Sequence, residues 1–234
     1  MRAIDRGPAP KVYAHYNDAR HDLSSRIGYY CSYCEMGVNN MIEVEHVHPV
    51  ANGGNATDWD NFLLSCKYCN TVKSNNNASR VGYFWPDLDN TDLAFDYTLD
   101  NRVLIAKAAS SAPHQAQAKR LIDLCGLNRY PGSGNEPTPA DTRWRLRDQV
   151  MVQAMNSYNN WVIVKQYIPA ALQVMANQIA QTSIIGFYSV WYTVFAGEQI
   201  VLDEIDLLWK RTYRNFKDFQ PNSVIRVIRP GGQI

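Results

Sequence analysis

The chain lacks a strong excess of charge of either sign. Its 234 residues include 23 Lys and Arg against 22 Asp and Glu, which gives a formal net charge of +1. Proteins that bind duplex DNA unaided usually carry a clear basic excess, because neutralisation of phosphates dominates their affinity. The balanced charge argues against such a protein. It indicates that any binding of nucleic acid depends on local patches or on a partner that loads the substrate.

Long apolar runs are also absent. The longest mostly apolar stretch, residues 184–196, is too short and too interrupted by polar residues to span a bilayer. The first ten residues contain no apolar signal core. With 46% apolar and 19% charged residues, the composition is that of an ordinary globular protein. We therefore expect a soluble, cytoplasmic protein that has no membrane partner.

Cysteine is scarce and its placement is uneven. Four of the five cysteines form two Cys-x-x-Cys pairs, Cys31 with Cys34 and Cys66 with Cys69. Two such pairs can complete a tetrahedral zinc site, and this usage is typical of a reducing compartment. A redox dithiol and buried free thiols are the alternatives, and two pairs in one short segment favour zinc over both. The fifth, Cys125, stands in an apolar stretch and is predicted to be a small buried hydrophobe.

Residues with metal and acid–base chemistry lie between and directly after these pairs. Glu45 and Asn70 offer hard oxygen ligands for Mg²⁺ or Mn²⁺. The imidazole of His46 can take a proton from water near neutral pH. Asn61 can fix the intervening loop or orient His46 through a hydrogen bond. Together these residues suit metal-assisted hydrolysis of a phosphodiester.

The adjacency of Glu45 and His46 sets a geometric condition. On a regular strand, neighbouring side chains point to opposite faces. A bulge or the end of a strand is therefore needed for both side chains to serve one site.

Two further residues are candidate substrate contacts. His48 could share the strand face of His46 and touch metal or phosphate, and a surface role is the favoured alternative. Lys73 could contact phosphate from the helix that follows Cys69, and a solvated lysine is the alternative.

Sequence periodicity predicts a compact ββα unit around these residues, preceded by a helix. The turn between the two strands is indicated by Asn52-Gly53-Gly54-Asn55. The predicted elements are a helix at 12–27, a strand at 41–47, a strand at 62–64 and a helix at 67–76.

The remainder is predicted to be mainly helical, so the expected fold class is α+β. The predicted helices are 116–124, 141–157, 161–181, 183–196 and 200–217. Residues 131–140 are rich in Gly, Pro, Ser and Asn and are the expected linker. Residues 1–130 then form the zinc-stapled domain, and residues 141–234 form a helical domain for docking a partner or substrate.

Two features of the helical region have more than one interpretation. Phe187, Trp191 and Phe195 recur every four residues as a stripe, which favours a core face over a docking face. A basic run near the C-terminus could contact a nucleic-acid backbone, and a solvated face is the alternative. Its members are Lys210, Arg211, Arg214, Lys217, Arg226 and Arg229.

The central pattern resembles the HNH endonuclease family, which has a ββα-metal fold. The family core is acid-His-x-x-Pro, a Gly-Gly loop, Asn-Leu, and then Cys-x-x-Cys-Asn-x-x-Lys. This sequence has Glu45-His46-Val-His-Pro49, Gly53-Gly54, Asn61-Phe62 and Cys66-Lys-Tyr-Cys69-Asn70-Thr-Val-Lys73.

The resemblance implies roles for individual residues. His46 would be the general base, Glu45 and Asn70 would bind the catalytic Mg²⁺ or Mn²⁺, and Asn61 would be the middle residue of the motif. The four cysteines match the family's zinc-bearing subset. The sequence departs from the commoner pattern with Glu45 in place of Asp and Phe62 in place of Leu.

A narrower likeness extends over residues 1–150. The segments 31–35, 58–61, 118–122 and 127–129 are similar to HNH subunits of Septu-type and retron-associated anti-phage systems, which work beside an ATPase partner. This likeness implies a defence effector that cleaves nucleic acid, with double-stranded DNA as the expected substrate. Two alternatives stay open: a zinc-stabilised nucleic-acid-binding or docking module without catalysis, and an HNH enzyme that cleaves RNA.

Overall fold

The computed structural model describes residues 1–98, 104–106, 111–213, 219–220, 223–224 and 227–234. The helices are α1 (Arg20–Ile27), α2 (Lys67–Lys73), α3 (Thr91–Ala94), α4 (Ala112–Cys125), α5 (Arg143–Tyr167), α6 (Leu172–Ser183), α7 (Tyr188–Val194) and α8 (Gln199–Leu208). The strands are β1 (Ile42–His46), β2 (Phe62–Cys66), β3 (Phe95–Tyr97), β4 (Leu104–Ala106), β5 (Phe219–Gln220) and β6 (Ser223–Val224). Successive strands pair as separate two-stranded antiparallel sheets. This mixture of helices and small sheets confirms the predicted α+β class.

The ββα unit is formed by β1, β2 and α2. β1 and β2 pair with Ile42 opposite Cys66 and His46 opposite Phe62. Every residue of β2 is buried, as expected for a short, continuously apolar strand. α2 starts directly after β2, and the Cys66 sulfur accepts a hydrogen bond from the Cys69 amide at its first turn. The helix ends at Lys73 instead of residue 76, because Ser74 has a positive φ of 46°.

The N-terminal helix begins later than predicted. A single 3₁₀ turn at Tyr16–Ala19 precedes α1, and residues 12–15 are not helical. Asn17 and Asp18 lie in that turn, and short polar side chains of this kind favour turns over regular helix. α1 ends at Gly28, whose φ of 79° is readily adopted only by glycine.

The sequence analysis predicted separate helices at 141–157 and 161–181, and this division was wrong. α5 is one continuous helix of 25 residues that passes through the polar segment 157–160. That segment contains no proline or glycine, so no backbone hydrogen bond is lost there. The break comes at Ile168 and Pro169, because proline cannot donate a backbone hydrogen bond in the helix interior.

The last two helices are also shorter than predicted. Gly186 and Phe187 have positive φ values, so α7 begins only at Tyr188. α8 ends at Leu208, where Trp209 becomes extended. The predicted helix to residue 217 was therefore too long, and residues 214–217 lie outside the described residues.

One apolar core connects the N-terminal and C-terminal parts of the chain. Phe187, Trp191 and Phe195 are each at most 2% exposed, which confirms their interpretation as core residues. Cys125 is fully buried, as predicted. The carboxylate of Glu35, in the first cysteine loop, accepts hydrogen bonds from the amide and hydroxyl of Ser189 at 3.0 and 2.7 Å. Residues 131–140 thus connect two regions that pack against each other.

Among the described residues, no helix combines the length and apolar character needed to cross a bilayer.

Candidate functional site

The two cysteine pairs meet in one buried cluster. The sulfur atoms of Cys31, Cys34, Cys66 and Cys69 all lie within 4.8 Å of one another. The sulfurs of Cys34 and Cys66 are 3.8 Å apart. Sulfurs bound tetrahedrally to Zn²⁺ at about 2.3 Å are separated by about 3.8 Å, so the cluster has the dimensions of a structural zinc site.

A buried arginine from the helical region contacts this cluster. Arg143 donates from Nη1 to the Cys69 sulfur at 3.0 Å and to the carbonyl oxygen of Cys125 at 2.9 Å. Its Nε and Nη2 donate to the carboxylate of Asp141 at 2.8 and 2.7 Å. The sequence analysis missed Arg143, because its only local signal is an Asp-x-Arg spacing far from the cysteines.

His46 is the last residue of β1, and its ring is half-buried against aromatic neighbours. The ring centroid lies 4.9 Å from that of Tyr16 and 5.4 Å from that of Phe62. Its Nε2 is 3.0 Å from the carbonyl oxygen of Ala56. A carbonyl can only accept, so Nε2 carries the proton, and the neutral ring keeps the lone pair on Nδ1.

Asn61 holds the loop that carries Ala56. Its Oδ1 accepts from the His48 amide at 2.8 Å, and its Nδ2 donates to the carbonyls of His48 and Asn55, both at 2.9 Å. Gly54 permits this tight loop, since a Cβ there would lie 1.9 Å from the His48 carbonyl oxygen. Asn61 therefore fixes the loop directly, and the loop presents the Ala56 carbonyl to His46.

The His48 ring also serves the loop. Its Nε2 is 3.0 Å from the carbonyl oxygens of Asn52 and Ala78, so the Nε2–H group is hydrogen-bonded within the protein. This geometry favours a structural role for His48 over a contact with substrate.

Glu45 and Lys73 form a buried ion pair behind the pocket. The side chains of Lys73 and Glu45 are 1% and 2% exposed, and Lys73 Nζ pairs with Glu45 Oε1. The same ammonium donates to the His46 carbonyl at 2.9 Å, and the Tyr33 hydroxyl donates to Glu45 Oε2 at 2.5 Å. Burial raises the pKa of Glu45 above its ordinary value, although Lys73 and Tyr33 partly oppose that rise. The Lys73 ammonium points inward, which favours this pairing over a phosphate contact.

An open cavity of about 410 Å³ brings together Glu45, His46 and Asn70. The remaining lining residues are Pro49, Val50, Ala51, Thr71, Ser74 and Asn75. Glu45 and His46 share this cavity because His46 ends the strand, whereas Asn61 supports it from the loop. The cavity adjoins α2, whose first turn carries Cys69 of the four-cysteine cluster.

Glu43 is a further acidic residue beside the cavity, and the sequence analysis did not select it. Asn70 donates from Nδ2 to Glu43 Oε2 at 2.7 Å, which turns the Asn70 carbonyl oxygen Oδ1 away from that carboxylate. The sequence signal that could have identified Glu43 was its position two residues before Glu45, on the same face of the strand.

The C-terminal basic run does not form one surface among the described residues. Arg229 lies 4.3 Å from the Tyr213 ring centroid and donates to the carbonyls of Pro86 and Asp89 at 3.4 and 3.3 Å. Arg211 Nη1 lies 3.8 Å from Asp5, and Lys210 is exposed. Arg214, Lys217 and Arg226 lie outside the residues for which side chains are described.

The comparison with protein families identifies the central segment. Residues 31–76 match the family model described as HNH endonuclease. The chain contains an HNH endonuclease domain. This HNH domain includes both cysteine pairs, the cavity residues Glu45, His46 and Asn70, and the loop residue Asn61.

One relative extends the likeness beyond the HNH domain. The chain is 31% identical over 99 residues to the Septu protein PtuB of Bacillus thuringiensis. The match covers 39% of this chain and 38% of that relative's length. No solved structure matches the chain.

Proposed function

We propose that this chain is a metal-dependent HNH endonuclease that hydrolyses phosphodiester bonds in double-stranded DNA. The observation that carries the proposal is the shared cavity of Glu45, His46 and Asn70, next to a four-cysteine cluster within an HNH domain. An imidazole beside oxygen ligands for a hard divalent metal is a suitable arrangement for activating water against a phosphodiester.

His46 is proposed to be the general base. Its Nε2–H donates to the Ala56 carbonyl, so Nδ1 is the ring atom that takes a proton from the attacking water. Donation to Ala56 also stabilises the imidazolium that results, because the carbonyl oxygen is a good acceptor for a charged donor. Asn61 is proposed to act as a positioning residue, since it fixes the loop that presents this carbonyl.

Glu45 and Asn70 are proposed to hold the catalytic Mg²⁺ or Mn²⁺. Both residues line the cavity, and Glu43 orients the Asn70 amide so that its carbonyl oxygen is the free acceptor. Each Glu45 oxygen already accepts one hydrogen bond and has a second lone pair for a cation. When bound, the metal supplies positive charge against the charge that develops on the phosphate oxygens.

The four cysteines are proposed to hold a structural Zn²⁺ that fixes α2 to the end of β2. All four sulfurs converge, which leaves no position at which zinc could bind a reactant. Asn70 directly follows the ligand Cys69, so zinc binding would also fix the position of Asn70.

The biological role is proposed to be anti-phage defence in partnership with an ATPase. Similarity to the Septu protein PtuB supports this role. The net charge of +1 agrees with loading of the substrate by a partner instead of autonomous capture of DNA.

The test is cleavage of supercoiled plasmid with Mg²⁺ or Mn²⁺ by the wild type, His46→Ala and His21→Ala. His21 is an exposed histidine outside the cavity and serves as the matched control. Loss of a general base should reduce the rate by about 100-fold or more in His46→Ala while zinc content and folding persist. Full activity of His46→Ala would contradict the assigned role.

The same assay separates the alternatives. Digestion of total RNA without cleavage of plasmid would show that the substrate of the enzyme is RNA. Binding of nucleic acid without cleavage, under either metal and with an ATPase partner added, would favour a non-catalytic module.

A further inference from the structure

A tyrosine from outside the matched HNH segment lies against the proposed general base. Tyr16 belongs to the 3₁₀ turn Tyr16–Ala19, whereas the family match covers residues 31–76. Its ring centroid is 4.9 Å from that of His46, and the two ring planes make an angle of 56°. Rings at this separation are in direct contact. An element that precedes the HNH domain in the sequence therefore touches a residue of the candidate site.

Tyr16 differs from the buried aromatic residues around it. It is 39% exposed, whereas Tyr13, three residues earlier, is 4% exposed. The Tyr13 ring stacks on Trp59 at a centroid distance of 5.7 Å, and its hydroxyl donates to the Asp22 carboxylate at 2.8 Å. These contacts hold the N-terminal segment on the protein through Tyr13. Anchoring of the segment therefore does not explain the aromatic residue at position 16.

The contact between Tyr16 and His46 is made by the aromatic ring. Within the part of the chain that the structure describes, the Tyr16 hydroxyl has no hydrogen-bond partner. A phenylalanine at this position would keep the ring and lose only the hydroxyl. Substitution by phenylalanine and by alanine therefore separates a role of the ring from a role of the hydroxyl.

Three contacts together hold the imidazole of His46. Its Nε2 is hydrogen-bonded to the Ala56 carbonyl oxygen at 3.0 Å. The Phe62 ring, which is fully buried in β2, lies at a centroid distance of 5.4 Å and an interplanar angle of 73°. Tyr16 is the third contact. A hydrogen bond fixes one atom of the ring and leaves the ring free to pivot about it, so the aromatic contacts limit that movement.

We propose that Tyr16 is a positioning residue that keeps the His46 imidazole in the orientation from which Nδ1 takes a proton. The proposal rests on the proposed function, because it assumes that His46 is the general base. A half-turn about the Cβ–Cγ bond would put a carbon atom in the place of Nδ1 and break the bond to Ala56. A general base must lie within hydrogen-bond reach of the proton that it abstracts. Tyr16 opposes this rotation because its ring occupies space beside the imidazole.

Direct stacking of the exposed Tyr16 ring on a base of the substrate is the alternative role. Aromatic side chains bind unpaired bases in this way, whereas the bases of a duplex are already stacked on one another. The contact with His46 exists without substrate, which favours positioning. The two roles predict different kinetics, since stacking contributes to binding and positioning contributes to the chemical step.

The first experiment is plasmid cleavage by the full chain carrying Tyr16→Ala, Tyr16→Phe or Tyr29→Ala. Tyr29 is the matched control, because it is 46% exposed and lines a different cavity. We expect kcat to fall about 10-fold or more in Tyr16→Ala with KM for plasmid unchanged, because the base is displaced. Tyr16→Phe and Tyr29→Ala are expected to keep the wild-type kcat. A raised KM with unchanged kcat in Tyr16→Ala, or equal losses in Tyr16→Phe and Tyr16→Ala, would overturn the proposal.

The second experiment follows the His46 ring by nitrogen NMR and needs no nuclease activity. The chain has five histidines, and His46→Ala identifies the signals of His46. At about pH 8 and without added Mg²⁺ or Mn²⁺, the wild-type ring is expected to be the Nε2–H tautomer, because the Ala56 carbonyl can only accept. We expect a mixture of tautomers in Tyr16→Ala at an unchanged melting temperature, and a single tautomer in Tyr16→Phe.

The two experiments distinguish failure of this proposal from failure of the proposed function. Unchanged His46 signals in Tyr16→Ala would contradict positioning by Tyr16 and leave the general base in place. Full cleavage of plasmid by His46→Ala would contradict the proposed function, and the positioning role would fail with it.

Discussion

Arg143, the first residue of α5, donates a hydrogen bond to the sulfur of Cys69 across 3.0 Å. This contact connects the helical region to the last residue of the four-cysteine cluster. Four thiolates around one Zn²⁺ carry a net charge of about −2, which is costly to bury without a nearby cation. Arg143 supplies that cation, and Asp141 holds the guanidinium in place.

Replacement of Arg143 should therefore weaken both folding and zinc retention. In Arg143→Met, the carboxylate of Asp141 loses its partner and the cluster loses its donor. We expect a loss of about 3–5 kcal/mol in unfolding free energy and faster release of zinc to a chromogenic chelator. Arg145→Met, at an exposed neighbouring position, is the control. Equal release of zinc from both variants would show that Arg143 does not support the cluster.

Zinc should be required for the fold of the ββα unit. We expect stoichiometric zinc in the purified wild type, loss of zinc in Cys69→Ser, and retention of zinc in Cys125→Ala. The reason is that Cys69 belongs to the four-sulfur cluster, whereas Cys125 is a buried thiol outside it. Elemental analysis gives the metal content, and limited proteolysis reports whether the unit opens. Full zinc occupancy in Cys69→Ser would contradict the four-cysteine site.

Asn61 should affect catalysis through the loop instead of through the metal. Asn61→Ala removes three hydrogen bonds from a side chain that is 6% exposed, at a cost of about 1–3 kcal/mol. We expect slower plasmid cleavage with unchanged zinc content and unchanged Mn²⁺ affinity. Asn76→Ala, which removes a single exposed hydrogen bond, serves as the comparison. A large fall in metal affinity would place Asn61 among the metal ligands instead.

Lys73 should be essential for stability because it neutralises a buried carboxylate. In Lys73→Met, Glu45 remains buried without its cation, and we expect a loss of about 3–5 kcal/mol in denaturant unfolding. Lys67→Met, at an exposed position of the same helix, is the control. A stable Lys73→Met protein that binds DNA weakly would support the phosphate contact suggested by the sequence.

Glu45 should make the stability of the protein depend on pH in a particular direction. Burial raises its folded-state pKa above the ordinary 4.5, despite Lys73 and Tyr33. The folded protein then binds the proton more tightly than the unfolded chain, so this contribution is fully present below pH 4.5 and is lost as the pH rises through the folded pKa. The stability of the wild type relative to Glu45→Gln should therefore fall as the pH is raised above 4.5. A relative stability that rises with pH would mean that the pKa is lowered.

The local features of the HNH domain could be predicted from sequence because short-range patterns determine them. Alternating apolar residues predicted β1, and a continuous apolar run predicted β2. The spacing of the cysteines predicted their cluster. Gly53 and Gly54 correctly indicated the turn. These signals depend on neighbours within a few residues, so tertiary packing changes them little.

The environment of the site residues could not be predicted in the same way. The sequence allowed either a phosphate contact or a solvated side chain for Lys73, but Lys73 lies inside because Glu45 and the His46 carbonyl require a partner. Arg143 and Cys69 are far apart in sequence, and no periodicity connects them. The break between α5 and α6 followed Pro169 and not the polar segment 157–160, because loss of a backbone donor outweighs weak helix propensity.

The length of α5 has a mechanical consequence for the molecule. The helix begins at Arg143, which contacts Cys69, and ends at Tyr167, about 36 Å away along its axis. Because α6 and α7 pack against the same helix, one continuous element connects them to the cysteine cluster. A displacement of α6 or α7 would therefore reach Cys69 through Arg143 without passing through a loop.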